Sequence, residues 1–379
     1  MKSLTTVFAQ LIHFVPKEIF NALAKIHHGP RAERVFTRWD QFVHLLYIQL
    51  SGVKTLRGSI DNIAPSKHLL YPLRAKPVAR STFADANKSR PYTFFEALAH
   101  TMYERCVRMA FHHSMPFKYK LFSLDASTVG LNFNNFAWAK FRSTKSGIKL
   151  HTLLDHDGEI PKKVIVTEAC HHECKVAKKF NFPKGSIIVF DKGFIDYEWF
   201  RQLIAKGVHF VTRLKYGADY IIMEHYPADP EQGILKDQLI QINSTKNPLY
   251  VRHIRYYDKE RNREYDFISS LLTEPAKVIS NIYKERWKVE TFFRYIKQNL
   301  KIKSFIGTSK NAVLSQVYVA LIAYLLAAWQ KFLSTTKRSC GSILRMIQNN
   351  IFKKCRIDEL WMPKEKLKLL TSEQYTLFS

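Results

Sequence analysis

YKLFSLDAST (residues 119–128) is where the chain changes its period, and the fold turns on how this stretch is read. KLFSL is a short apolar run closed by one acid, Asp125, and followed by small residues, which is the pattern of a buried strand. Upstream, residues 1–115 read as helical. WDQFVHLLYIQLSG (39–52) carries apolar residues at helical spacing and stops at Gly52. LRGSIDNI (56–63) and RSTFADANKSR (80–90) predict two short helices around a loop, with Ser81 or Thr82 capping the second. This pair reads in two ways. It is either a helix-turn-helix-like DNA reader, with Arg80, Lys88 and Arg90 free to meet phosphate, or a packing element with a solvated basic face.

Downstream, KSGIKLHTLLD (145–155) and EIPKKVIVTEA (159–169) are two further strands around an Asp157-Gly158 turn signal. A helix near HHECKVAKKF (171–180) follows, then the strand SIIVF (186–190), a helix from Tyr197 to Ala205, and the strand VHFVTRL (208–214). Three antiparallel strands followed by alternating helices and strands predict an α/β, ribonuclease H-like core over 116–335. In that topology the first and fourth strands are neighbours. Asp125 would then lie beside Asp191, the acid that closes SIIVF. The β-branched and aromatic runs of 216–272 predict a β-rich subdomain inserted into this core, and 336–379 a basic helical tail. VYVALIAYLLAAW (317–329) is too short for a membrane span and reads as a buried core helix. The amino terminus is a poor signal peptide, because Gln10 and His13 break its apolar run.

Chemistry concentrates in YKERWKVETFFRYIK (283–297). On a helix Tyr283, Arg286, Glu290 and Lys297 fall within an arc of about 60°. Arg286 and Glu290 would make an ordinary i,i+4 pair, but two isolated aspartates closing apolar runs shift the reading. A carboxylate at the end of a core strand costs desolvation unless something positive compensates it. Asp125, Asp191 and Glu290 together would repel, and three carboxylates with open positions suit Mg²⁺. Two such ions, with Mn²⁺ as a substitute, would clamp the attacking and leaving oxygens of a phosphoryl displacement.

Composition points to the same substrate. Lys plus Arg number 59 against 32 Asp plus Glu, a net charge of +27, which suits a polyanionic partner. The charge is spread: residues 1–120 alone hold 18 basic against 7 acidic side chains. Five cysteines without a disulfide rhythm suit a reducing cytoplasm. CHHEC (170–174) lacks a second ligand pair for zinc and is expected at a strand-to-helix junction. There is no Gly-rich phosphate loop, and hence no expectation of nucleotide hydrolysis.

The run ISNIYKERWKVETFFRYIKQNLKIKSFIGTS (279–309), with LDAST and FDKGF upstream, resembles the insertion sequence four family of bacterial DDE transposases. WDQFVHLLYIQLSGVKTLR and RSTFADANKSR are similar to that family's amino-terminal, all-α DNA-binding region. The resemblance implies cut-and-paste transposition with a hairpin intermediate and strand transfer to target DNA. Asp125, Asp191 and Glu290 would be the catalytic metal ligands. Tyr283, Arg286 and Lys297 would hold phosphates; beside that resemblance, Arg213 and Lys215, leaving the strand VHFVTRLK, read as further phosphate contacts. It further implies double-stranded DNA (terminal inverted repeats and target), a synaptic homodimer, and a bacterial, nucleoid-associated location without membrane contact. The alternatives are a nuclease of the same fold without joining activity, and a non-catalytic DNA-binding derivative. One departure stands out. Family members that form hairpins stack a flipped base on a tryptophan in the insertion, and this chain has no Trp between Phe200 and Arg286. Tyr256, Tyr257 and Tyr265 could stack a base instead, or serve as cross-strand partners.

Overall fold

The computed structural model describes residues 5–361 except 30–34, 54, 64–67, 69, 118, 244–246 and 335, so the tail beyond 361 lies outside the described residues. The chain divides into two compact units. One comprises Met1–Ala110, Asn134–Trp138 and Arg294–Ser379, the other Phe111–Phe133 and Ala139–Phe293.

The first unit opens with helices α1 (Val7–His13), α2 (Lys17–Ile26), α3 (Arg38–Ser51), α4 (Leu56–Ile63), α5 (Arg80–Ser89) and α6 (Thr93–Val107). Helix α3 starts where Thr37 and Asp40 form a reciprocal capping box, and it ends at Gly52, whose φ of 74° suits glycine. Two expectations about α5 fail. The helix begins after Ala79 with no side-chain cap, so Ser81 and Thr82 fall inside its first turn. Arg90 is not free for phosphate: its guanidinium donates to the carbonyls of Phe36 and Thr37 and lies over the Phe36 ring. Both carbonyls lie at the start of α3; that of Thr37 also accepts from the Gln41 N–H, and the two together hold the arginine. Arg80 and Lys88 stay exposed.

The second unit is built on one ten-stranded mixed sheet. Its strands are β1 (Leu121–Leu131), β2 (Lys140–Arg142), β3 (Lys145–Asp155), β4 (Ile160–Glu168), β5 (Ile187–Phe190), β6 (His209–Arg213), β7 (Tyr220–His225), β8 (Ile234–Ile242), β9 (Leu249–Asp258) and β10 (Arg263–Ser269). Helices α7 (Glu173–Ala177), α8 (Tyr197–Ala205), α9 (Ala276–Glu285) and α10 (Trp287–Asn299) accompany them. Strands β3 and β4 form the hairpin signalled by Asp157-Gly158, with Asp155 opposite Ile160. Strands β1, β5 and β6 run parallel, side by side. The run 216–272 is β-rich, and its strands extend the main sheet. Its last strand, β10, pairs antiparallel with β6, and β9, β8 and β7 continue the same sheet. Pairing there satisfies the backbone groups that β6 would otherwise leave open at an edge.

Alternation divides the two faces of the sheet. Phe122, Leu124, Ile188, Phe190 and Phe210 pack with Trp199, Phe200 and Leu203 of α8. Leu121, Ile187, Val189 and Val211 pack on the other face against Ile279, Ile282 and Tyr283 of α9. That second face positions the candidate site.

The first unit closes with α11 (Lys310–Ser334) and α12 (Cys340–Asn349). The apolar run seen in the sequence is the middle of a 25-residue helix, wholly buried over its most apolar window. Gln316, which precedes that run, is satisfied inside the helix: it accepts from the Ile306 N–H and donates to the carbonyls of Lys301 and Ser304. Helix α12 packs on α11 and α3, so residues 340–349 belong to the body of this unit.

Candidate active site

Strand register sets the geometry. Ser123, Val189 and Val211 form one row across β1, β5 and β6. Two residues further on, the same face carries Asp125, Asp191 and Arg213. Neighbouring strands are about 4.8 Å apart, so these three residues leave the sheet side by side. The apolar half of the face is covered by α9, and the polar row begins where that cover ends. Asp125 does not terminate its strand, since β1 continues to Leu131 on its pairing with β3. It is the partner strand β5 that stops, at Phe190, and Asp191 begins a 3-10 turn.

Helix α9 supplies the opposing groups from its buried stripe. Ile279, Ile282 and Tyr283 pack on the sheet, and Arg286 comes next at the same spacing. Arg286 sits at the break between α9 and α10, with Glu290 one turn later. Its guanidinium spans two acids, 3.1 Å from Asp125 Oδ2 and 2.7 Å from Glu290 Oε1. Asp191 Oδ1 accepts from Arg213 at 2.6 Å and from the Tyr283 hydroxyl at 3.3 Å. Six of the eight residues singled out in the sequence are thus joined directly: Asp125, Glu290 and Arg286 in one group, Asp191, Arg213 and Tyr283 in the other. Tyr283 and Arg286, three residues apart on α9, connect the two groups. The remaining two lie elsewhere. Lys297 is in the last turn of α10, in the part of the chain assigned to the helical unit. Lys215 is exposed just after β6.

Their environments drive the two aspartates apart. Burial pushes the Asp125 carboxyl up to about 6, and Arg286 recovers only part of the cost. Burial also raises Asp191, but the hydrogen bond and charge of Arg213 outweigh it and hold the carboxyl below its ordinary value. Tyr283 is pushed up to about 12, chiefly by burial, so its hydroxyl is a neutral donor. Burial, with Lys303 nearby, lowers Lys297.

As the side chains lie, no three Asp, Glu, His or Cys groups among the described residues stand close enough to hold a metal ion. Arg286 occupies the space between Asp125 and Glu290. The donor chemistry nevertheless fits a divalent ion: three carboxylates give hard oxygen ligands, and the charge that now balances two of them is one movable side chain.

Basic residues that the sequence reading did not single out cluster around Arg213. It shares a pocket of about 300 Å³ with Lys192, Lys215, Arg255 and Arg263, and one of about 190 Å³ with Arg261, Lys284, Arg286 and Trp287. Strand alternation in YVRHIRYYD could have flagged Arg255, but no local signal marks Lys192 or Arg263. Of the tyrosines considered for base stacking, Tyr256 is excluded, being 4% exposed in the core. Tyr265 stacks on Phe267, with rings 8° from parallel. Trp287, 47% exposed under Arg261, is the open aromatic face beside Arg286. CHHEC runs from the turn after β4 into the first residues of α7, and all five cysteines are free thiols.

This arrangement of acids and arginines belongs to a chain whose relatives can now be stated. Residues 116–326, more than half of the chain, match the transposase DDE domain, and the protein belongs to that family. It is a DNA transposase, an enzyme that cleaves DNA and transfers the cut strand, and domains of this family use divalent metal ions. Residues 3–76 match a domain of unknown function (DUF4372). The protein y4zB of Sinorhizobium fredii, named as a transposase, is 28% identical over 253 residues, covering 64% of this chain and 69% of its own. A protein of Geobacillus stearothermophilus, named for the transposase of insertion sequence element IS5377, is 26% identical over 255 residues, 66% of each chain. The solved piggyBac transposase synaptic complex with hairpin DNA aligns over 97% of this chain and 83% of its own, at a TM-score of 0.45 and 10% identity.

Proposed function

We propose that this transposase is of the insertion sequence four, YREK type and moves its element by cutting and pasting. In this reading Asp125, Asp191 and Glu290 are its metal-binding catalytic acids. The observation that carries the proposal is their convergence: acids from β1, the end of β5 and α10 meet two arginines and a tyrosine on one polar row. A ribonuclease H-like core is supported by the order β4-β3-β1-β5-β6, antiparallel on one side of β1 and parallel on the other.

The acids would hold two Mg²⁺ ions, which, when bound, polarise the scissile phosphate and favour the attacking and leaving oxygens. The protein's own groups do the rest. Arg286 presents a planar fork suited to a phosphate once it turns from Asp125 and Glu290. Tyr283 offers a neutral hydroxyl donor. Arg213 keeps Asp191 ionised and, with Lys215, lines the larger basic pocket. Lys297 adds a point charge further along α10. The half-exposed Trp287 offers a tryptophan face beside Arg286, where the stretch between Phe200 and Arg286 has no tryptophan, and it suits a hairpin intermediate. Double-stranded ends and target DNA are the substrates, a synaptic homodimer the working assembly, and the bacterial cytoplasm the setting.

A duplex carrying the element's inverted repeat, incubated with Mg²⁺ or with EDTA, tests this reading. We expect Mg²⁺-dependent nicking at the repeat boundary, followed by hairpin or joined products. Asp125→Asn, Asp191→Asn and Glu290→Gln are each expected to abolish nicking while leaving end binding intact. Binding lost in parallel with cutting would make these acids structural. Cutting without joining would leave a nuclease.

A further inference from the structure

A second polar chain runs behind the candidate site, through residues that neither the sequence reading nor the chemistry above uses. His156 lies in the β3–β4 turn with its side chain fully buried. Its Nε2 is 2.7 Å from the hydroxyl of Ser123, which sits on β1 two residues before Asp125 and on the same face. Its Nδ1 faces Glu285 Oε2 at 3.6 Å, too far for a hydrogen bond. Glu285 is the last residue of α9, immediately before Arg286. Lys288, two residues after Arg286, bridges Glu285 at 2.6 Å and Glu159, in the same turn as His156, at 3.1 Å. One four-residue turn therefore holds β1 just ahead of Asp125 and grips the helix break on both sides of Arg286.

We infer that His156 is a positioning residue that fixes the distance between Asp125 and the Arg286–Glu290 pair. A fully buried imidazole with one nitrogen lacking a hydrogen-bond partner is a costly way to fill space, and an apolar side chain would pack there more cheaply. What the imidazole alone provides is two polar ends about 2 Å apart, one for the Ser123 hydroxyl and one for the Glu285 carboxylate. Asp125 and Arg286 arrive from segments 161 residues apart in sequence, and a polar link between their elements adds to the packing of α9 on the sheet in setting their separation. Misplacement by about 1 Å costs catalysis on the order of a hundredfold, so such a link matters to rate before it matters to folding.

The inference rests on the reading of Asp125 and Glu290 as catalytic, and the test separates the two. Single-turnover nicking at saturating DNA is measured for His156→Ala, His156→Gln, Glu285→Gln and the His156→Ala/Glu285→Gln pair, together with end-binding affinity. His156→Ala and Glu285→Gln are each expected to lower the rate constant by about tenfold to a hundredfold at unchanged affinity. The double variant should be no slower than the worse single, because both act through one device. His156→Gln, whose amide spans the same two partners, should recover most of the rate. A reduced active fraction with an unchanged rate constant would overturn the inference, as would effects that multiply in the double variant. Glu285→Gln is nearly isosteric and carries the test if His156→Ala does not fold. A crystal structure of a folded variant at His156 or Glu285 needs no activity: Arg286 is expected to leave Asp125 or Glu290, and retention of both ion pairs would refute the link. A wild-type protein that does not nick would sink the catalytic reading and leave this structural arm standing.

Discussion

Asp125 and Asp191 are the same side chain one strand apart, and the protein treats them differently. Asp191 faces Arg213, whose hydrogen bond and charge keep it ionised, whereas Asp125 is more deeply buried and shares Arg286 with Glu290. A carboxyl raised from 3.8 to about 6 makes the folded protein bind a proton more tightly than the unfolded chain. The associated stability is complete below the ordinary value and is lost as pH rises through about 6. Asp125→Asn, which mimics the protonated acid, should therefore match the parent near pH 4 and exceed its stability above pH 6. The gain should approach about 3 kcal/mol well above pH 6, since one pKa unit is worth about 1.4 kcal/mol. Urea unfolding in EDTA across that range checks it. Equal stabilities at pH 8 would mean that Arg286 fully compensates the burial of Asp125.

At the scale of elements, α9 is one helix with two tasks. Its stripe is apolar at Ile279 and Ile282, mixed at Tyr283 and charged at Arg286, matching a sheet face that passes from Val189 and Val211 to Asp191 and Arg213. The apolar half anchors the polar half. Ile282 is fully buried there, so Ile282→Ala should cost about 2–5 kcal/mol by chemical denaturation. Nicking should suffer through a loosened Arg286 even under conditions where the variant is fully folded. A loss below about 1 kcal/mol would place the anchor elsewhere. The β10–β6 pairing acts similarly on Arg213, which lies opposite Phe267 and is held in a continuous sheet instead of at an open edge.

Across the whole molecule the charge of +27 is distributed over the chain, not collected in one tail. Within the sheet unit, two pockets that share Arg213 are lined by several Lys and Arg side chains. DNA held by many phosphate contacts releases many counterions, so affinity for nonspecific duplex should fall roughly 10³-fold or more between 50 and 200 mM salt. Fluorescence anisotropy at several salt concentrations measures the slope. A flat dependence would remove the electrostatic account of DNA binding.

Periodicity within a few residues of each position determined the elements on its own. The β1 run, the hairpin at Asp157-Gly158, the strands ending at Phe190 and Arg213 and the helix Tyr197–Ala205 are all legible because alternation, turn residues and apolar runs are local properties. The same logic marked Asp125, Asp191, Glu290 and the helical stripe around Arg286. Tertiary structure decided what no window of sequence contains. It joined residues 216–272 to the main sheet, because an open strand edge takes whichever strand reaches it. It buried a 25-residue α11 with Gln316 satisfied by neighbouring backbone, and it turned Arg90 inward to the carbonyls of Phe36 and Thr37. It also set Arg286 between Asp125 and Glu290 and put His156 behind them. Ion pairs form between groups that strand order brings together, and strand order is a property of the assembled sheet.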